Sequence, residues 1–291
     1  MSPIALALVT LAAASHATWN LLTKQGRDRL AFLWWTGLAG TALFLPAVLS
    51  TTPTWRWPAA TWAGIALAAV VRAAYLAALG GAYARGDLSL VYPLARGIAP
   101  LLVPPVAVVA LGERPTGTGI LGALVVGLGV YVLHLPGLAR GQRLAPLRAL
   151  RAAPARWALL TGCLTTVYSI VDTWNVRRGV PPLGYAWATI PLAALLLTPW
   201  VWRRPAACLA EWRTARVRIL AVAVLMTGGY TLVLLALRLA PVSYVAPARE
   251  LSIVFGTLLG ITVLGEPRPG PRLVGAALIV TGVLLLSQAA A

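Results

Sequence analysis

Apolar, uncharged runs of about twenty residues, the length that crosses ~30 Å of hydrocarbon, follow one another from end to end of this chain. No large soluble domain fits between them. Charged residues are 11% of the total and hydrophobic ones 59%, whereas a soluble domain carries roughly 25% charged residues. The first run has no basic residues before it and continues past Ser15 and His16 into Trp19 and Asn20, so it reads as a retained helix rather than a cleaved secretory signal. Between charged or Pro/Gly-rich breaks the runs predict helices near 3–23, 31–50, 59–84, 88–111, 116–135, 157–177, 182–202, 217–239, 242–264 and 270–288.

These ten helices are five written twice. At an offset of 153 to 155, Thr18-Trp19-Asn20 aligns with Thr173-Trp174-Asn175, Tyr75 with Tyr230, Ser89 with Ser243 and Pro93 with Pro247. Arg96 then meets Arg249, Glu113 meets Glu266, Gly122 meets Gly275 and Gly129 meets Gly282, all in order. Because five is odd, the second copy enters the membrane from the opposite side, an inverted repeat of the kind secondary transporters use. The expected fold is all-α and integral to the membrane: residues 1–135 form the first repeat, 136–156 a basic cytoplasmic linker and 157–291 the second repeat.

Charge orients the helices. Of the 24 basic residues, Arg72, Arg96 and Arg249 lie inside apolar runs, and Arg56, Arg114, Arg177, Arg178 and Arg238 lie by the loops after even-numbered helices. The other 16, from Lys24 to Arg272, lie by the loops after odd-numbered helices, which places those loops in the cytoplasm and both termini outside. The net charge of +17 therefore reads as an orientation signal with affinity for anionic lipid, not as a nucleic-acid surface. The linker segment "LARGQRLAPLRALRAAPARW" is either a short interfacial helix or a solvated basic loop. Cys163, inside a run, and Cys208, in a polar loop, form neither a disulfide framework nor a metal pair.

"LGERP" and "LGEPR" before the final helix of each half, "YPLARGIAPLL", "PARELSIVFGTLLG", and a Trp-Asn followed by Lys24 together resemble the EamA-type branch of the drug/metabolite transporter superfamily, over essentially the whole chain. The resemblance implies a ten-helix secondary transporter of the bacterial plasma membrane, often an exporter of amino acids or related metabolites, with a cavity between the halves. Two positions depart from repeat symmetry. Pro100 has Ile253 as its counterpart, and Lys24 has Gly179.

An ionisable side chain inside a membrane costs ~2.5–3.5 kcal/mol to insert, so Arg72, Arg96, Asp172, Arg249 and Glu250 are each candidates for the substrate site, with His16 as a sixth polar group. Three arginines oppose two acids. Either they form structural pairs, or one guanidinium remains to hold a carboxylate, phosphonate or phosphate. On helix 4, Ser89, Tyr92 or Pro93, Arg96 and Pro100 share a face. Pro93, Pro247 and Pro100 are candidate helix breaks, since proline frees a carbonyl one turn back. Tyr75, Tyr230, Asn20 and Asn175 are cavity candidates, and Trp19 and Trp174 are either ligand-stacking rings or interfacial anchors.

Glu113 and Glu266 are read as capping the next helix or pairing with Arg114 and Arg268. Gly256 to Gly260, and the face of Gly122, Gly127 and Gly129, suit close helix packing. No catalytic constellation, metal motif or cofactor signature stands out, which argues against a polytopic membrane enzyme, and no repeated filter loop suggests a channel. The function expected is alternating-access transport of a small anionic or zwitterionic metabolite, with phosphonate or phosphate-ester transport and cationic drug efflux as alternatives. Proton or ion coupling is left open, as is oligomeric state, for which a monomer suffices.

Overall fold

A computed structural model describes residues 1–24, 26–52, 56–83, 88–133, 153–263 and 270–289; for residues 24, 80–83, 88–94, 153–155 and 271 it describes the backbone alone. Helices α1 (Pro3–Lys24), α2 (Arg29–Thr51), α3 (Ala59–Tyr83), α4 (Leu88–Leu111) and α5 (Gly117–Leu133) make up the first half. The second half holds α6 (Ala153–Arg177), α7 (Pro182–Val201), α8 (Pro205–Leu239), α9 (Val242–Ala248), α10 (Leu251–Val263) and α11 (Gly270–Gln288). No strand occurs among the described residues. Most of the expected linker, and Glu266 with Arg268, lie outside them.

Local chemistry sets the helix ends. The Asp28 carboxylate accepts from the backbone N–H groups of Leu30 and Ala31, both at 3.1 Å, which caps α2. Pro182 and Pro205 open α7 and α8 at the first position, where a missing N–H costs nothing. Large apolar side chains such as Leu67, Val109, Leu195 and Val217 point outward, as a hydrocarbon surrounding requires.

Among the described residues, six segments are long and apolar enough to cross a bilayer: Pro3–Thr23, Arg29–Thr51, Ala59–Leu79, Pro182–Val201, Pro205–Leu239 and Val242–Val263. Ala95–Leu111, Gly117–Leu133 and Arg272–Gln288 are shorter apolar helices. Helix α6 meets neither description, because its inner face is polar. Thr161, Thr166, Ser169, Asp172, Thr173 and Asn175 are all buried. Apart from Asp172, each of them donates to the carbonyl four residues back, at 2.7–3.0 Å, so none leaves a donor unmade in the core.

The helices pack as repeat-related pairs. Helix α3 lies against α6 as α1 lies against α8, and each half's second and fifth helix lies against its own counterpart. The α2–α7 pair runs antiparallel: Trp34 Nε1 donates to Thr198 Oγ1 at 3.0 Å and Trp187 Nε1 to the Thr41 carbonyl at 2.7 Å. So does α5–α11, where a Cβ on Gly122 would sit 2.8 Å from the Gly282 carbonyl and one on Gly129 would sit 2.8 Å from that of Gly275. Only glycine lets the two backbones approach this closely.

Several sequence expectations need correction. Helix α8 begins at Pro205 rather than near 217, which puts Arg213, Arg216 and Arg218 on the helix and Cys208 inside it as a buried residue, because nothing after Pro205 breaks the helix. Helix α4 runs unbroken through Pro93 and Pro100, since a single proline removes one hydrogen bond without ending a helix braced by neighbours. The expected single helix at 242–264 instead breaks at Arg249 and Glu250, after Pro247. Gly256 packs against nothing within 4 Å, so the close-approach role falls to the α5–α11 glycines.

Candidate functional site

Four helices turn a stripe of residues at i, i+3, i+4 spacing toward one central cavity of about 180 Å³. Helix α3 contributes Arg72, Tyr75 and Leu76; α7 contributes Ile190, Ala193, Ala194 and Leu197; α8 contributes Met226, Gly229, Tyr230 and Val233; α1 contributes Ala12, Ala13, His16 and Trp19. Arg96 of α4, Tyr168 of α6, Trp34 of α2, and Arg249 with Ser252 complete the wall. Leu33 and Leu197 stand near the starts of the 24–29 and 201–205 connections, so the cavity lies toward that end of the bundle.

The two buried acids stand behind this wall. Asp172 Oδ1 accepts from Tyr185 OH at 2.8 Å and Oδ2 from Tyr230 OH at 2.7 Å, while Arg72 Nη2 forms an ion pair with Oδ2 at 3.5 Å. The Arg72 guanidinium also lies 4.3 Å from the Tyr230 ring centroid and 5.1 Å from that of Tyr168, and the latter ring meets Tyr75 edge-on at 6.0 Å. Two hydroxyls and a guanidinium thus hold the Asp172 carboxylate, whereas Arg72 Nε has no hydrogen-bond partner. Arg72 thus keeps a donor beside the cavity.

The second acid sits where the helix is broken. Between α9 and α10 the backbone tightens to three-residue hydrogen bonds: Glu250 N to Pro247 O, Ser252 N to Arg249 O and Ile253 N to Glu250 O, at 2.9–3.1 Å. Glu250 Oε2 faces Arg96 Nη2 at 3.2 Å, and the same Nη2 donates to Ser252 Oγ at 3.0 Å. The break therefore turns Glu250 toward Arg96 and leaves Arg249 facing the cavity. Among the described residues Arg249 has no ion pair and no side-chain hydrogen bond, unlike Arg72 and Arg96.

At the opposite end of the bundle another buried acid ties several segments together. Glu113, in the α4–α5 connection, accepts from Arg177 Nη2 at 2.7 Å, from the backbone N–H groups of Val242 and Ser243 at 2.8 and 3.0 Å, and from Ser243 Oγ at 2.6 Å. It caps α9 rather than the next helix, and pairs with Arg177 rather than Arg114. Arg177 also donates to the carbonyls of Leu237 and Ala240, and Tyr244 OH accepts from the Thr116 N–H at 2.9 Å. This binds α4–α5, α6 and α8–α9 together at one face.

Of the residues expected at the site, Arg72, Arg96, Arg249, Tyr75, Tyr230, His16 and Trp19 line the cavity. Asp172 and Glu250 hold its arginines from behind. Asn20 is exposed and Asn175 buried, yet both donate to the carbonyl four residues back, His16 at 2.7 Å and Val171 at 2.9 Å, so the repeated Trp-Asn pair does the same backbone work in each half. Trp174 stacks on Arg178 at 4.1 Å, away from the cavity. The side chains of Tyr92 and Pro93 lie outside the described residues, and Pro100 is buried without lining the cavity. Tyr168, Tyr185 and Ser252 were not expected. Tyr168 lies one turn before Asp172 and Ser252 three residues after Arg249, spacings that mark them as neighbours; Tyr185 carries no such signal.

Residues 154–288 match the model of the EamA-like transporter family. A solved structure described only as "Crystal structure of protein" is similar at a TM-score of 0.76 and 18% identity, over 98% of each chain, and at that identity the likeness is one of fold. No curated protein matches the chain.

Proposed function

From an integral membrane protein whose residues 154–288 carry the EamA-like transporter unit, we propose a ten-helix secondary transporter of inverted repeats that moves a small metabolite by alternating access, held through an anionic group at Arg249. The observation that carries this reading is the contrast among the three cavity arginines: among the described residues Arg72 and Arg96 are each paired to an acid, and Arg249 is not. A guanidinium in a low-dielectric wall is stabilised by an anion, and its planar fork matches a carboxylate or phosphonate.

The antiparallel α2–α7 and α5–α11 pairs favour the inverted repeat, because a two-fold axis in the membrane plane reverses one copy against the other. With the odd-numbered loops cytoplasmic, the cavity lies toward the cytoplasm and the Glu113 cluster closes the outer face, the inward-facing state of such a cycle. Export is the direction the family resemblance implies. The break at 249–250 suits the cycle, since discontinuous helices are tolerated in a membrane where they line a cavity and bind substrate.

Uptake of labelled organic anions into proteoliposomes tests the proposal. Arg249→Gln is expected to abolish saturable transport while Arg249→Lys retains part of it. Equal transport by Arg249→Gln and the wild type refutes the assignment.

A further inference from the structure

The wall of the cavity is charged with one sign only. Arg72, Arg96 and Arg249 reach it, while Asp172 and Glu250, the acids that neutralise two of them, do not; no carboxylate lines the cavity among the described residues. Asp172 is held by Tyr185, Tyr230 and Arg72 and does not line the cavity, so it does not face an incoming ammonium group. Three cations and two acids leave a surplus of one positive charge. A single anionic group brings the site to neutrality; an added ammonium group would restore the imbalance in a place where water screens charge only in part.

One stripe of the wall is apolar. Ile190, Ala193, Ala194 and Leu197 form one stripe of α7, facing the cavity beside Gly37 of α2. None of these side chains donates or accepts a hydrogen bond, so a hydroxyl placed there would be stripped of water without replacement, whereas a methylene or aromatic ring would gain by leaving water. The cavity therefore offers both guanidinium groups and a hydrocarbon stripe.

Resting on the transport reading above, we propose that the ligand is an organic anion without an ammonium group, whose anionic head meets Arg249 and whose body is an apolar chain or ring packed on the α7 stripe. The class excludes free amino acids, sugar acids and inorganic anions as the best ligands.

Calorimetric titration of the full chain in detergent with 3-phenylpropanoate, phenylalanine, 2-phenylethylamine, gluconate and inorganic phosphate tests it, because the first three share a phenylethyl skeleton that carries a carboxylate, both a carboxylate and an ammonium group, or an ammonium group alone. The expected result is binding of 3-phenylpropanoate at least tenfold tighter than phenylalanine, gluconate or phosphate, lost in Arg249→Gln and partly restored in Arg249→Lys. Phenylalanine binding as well as 3-phenylpropanoate overturns the ammonium-free class but leaves the anion site standing. Equal binding of gluconate or phosphate overturns the apolar body. Binding of 2-phenylethylamine alone, or anion binding indifferent to Arg249→Gln, overturns the transport reading at Arg249 as well, and failure of 3-phenylpropanoate to bind overturns the inference outright.

Discussion

Replacing Glu113 by glutamine is expected to loosen the face of the bundle opposite the cavity. The Glu113 side chain is 5% exposed and receives only donors: Arg177 Nη2, two backbone N–H groups at the start of α9, and the Ser243 hydroxyl. Glutamine keeps the size, but it removes the charge that neutralises Arg177 and turns an amide N–H toward groups of which only the Ser243 hydroxyl can accept. Breaking a buried ion pair from one side costs ~3–5 kcal/mol. Because the Arg177 side chain is 34% exposed, water recovers part of this, and the lower end, about 3 kcal/mol, applies. At about 1.4 kcal/mol per factor of ten, the balance between closed and open at this face shifts by roughly a hundredfold.

The assay is labelling of Val233→Cys, with Cys163 and Cys208 replaced by alanine, by a membrane-impermeant maleimide added from the side of the 112–116 connection. Val233 lines the cavity, and it is expected to be shielded from that side while the cluster holds. Glu113→Gln should raise the labelling rate by up to a hundredfold, with saturation as the open state becomes dominant. A rate and a melting temperature both unchanged from the parent would refute the argument, because either the cluster does not close the face or its hydrogen bonds do not stabilise it.

Asp172→Asn leaves Arg72 without its counter-charge beside the cavity and should lower stability by ~3–5 kcal/mol, read as a fall in melting temperature; Tyr185→Phe removes one of its hydrogen bonds and should cost about 1.5–3 kcal/mol. Glu250→Gln takes the competing carboxylate from Arg96, so the affinity for an anionic ligand should rise about tenfold in a titration, equivalent to ~1.4 kcal/mol; a fall would mean that Glu250 orients Arg96 rather than competing for it. Gly122→Ala drives a methyl against the Gly282 carbonyl and should destabilise by ~1–3 kcal/mol, whereas Gly256→Ala, with open space around it, should be neutral or stabilise by up to ~1 kcal/mol in thermal unfolding.

Much of the frame was legible because membrane helices announce themselves by length and polarity. Arg72, Arg96 and Arg249 were found for the same reason, since a guanidinium inside an apolar run has few structural excuses. The pairing was not legible. Whether Asp172 neutralises Arg72 or Arg96 depends on the register of α3 against α6, which no local pattern encodes. The break at 249–250 was half visible: Pro247 flagged the place, but Pro93 flagged its counterpart equally, and α4 runs straight. What separates them is tertiary, the Arg96 contact to both Glu250 and Ser252 across the junction. Glu113 was misread for a related reason. Its sequence position beside Arg114 suggested a local cap, whereas its partners lie 64 to 130 residues away.

The α5–α11 crossing has a consequence for the origin of the chain. Gly122 touches Gly282 and Gly129 touches Gly275, and the repeat makes Gly275 the equivalent of Gly122 and Gly282 that of Gly129. One contact is therefore made twice, each partner answering with the same residue of the other copy, which is the geometry of an isologous homodimer interface. Such a seam needs no second invention. Were the two halves copies of one five-helix unit, a dimer of that unit would hold the same seam, and joining the copies would keep it as a contact within the fold.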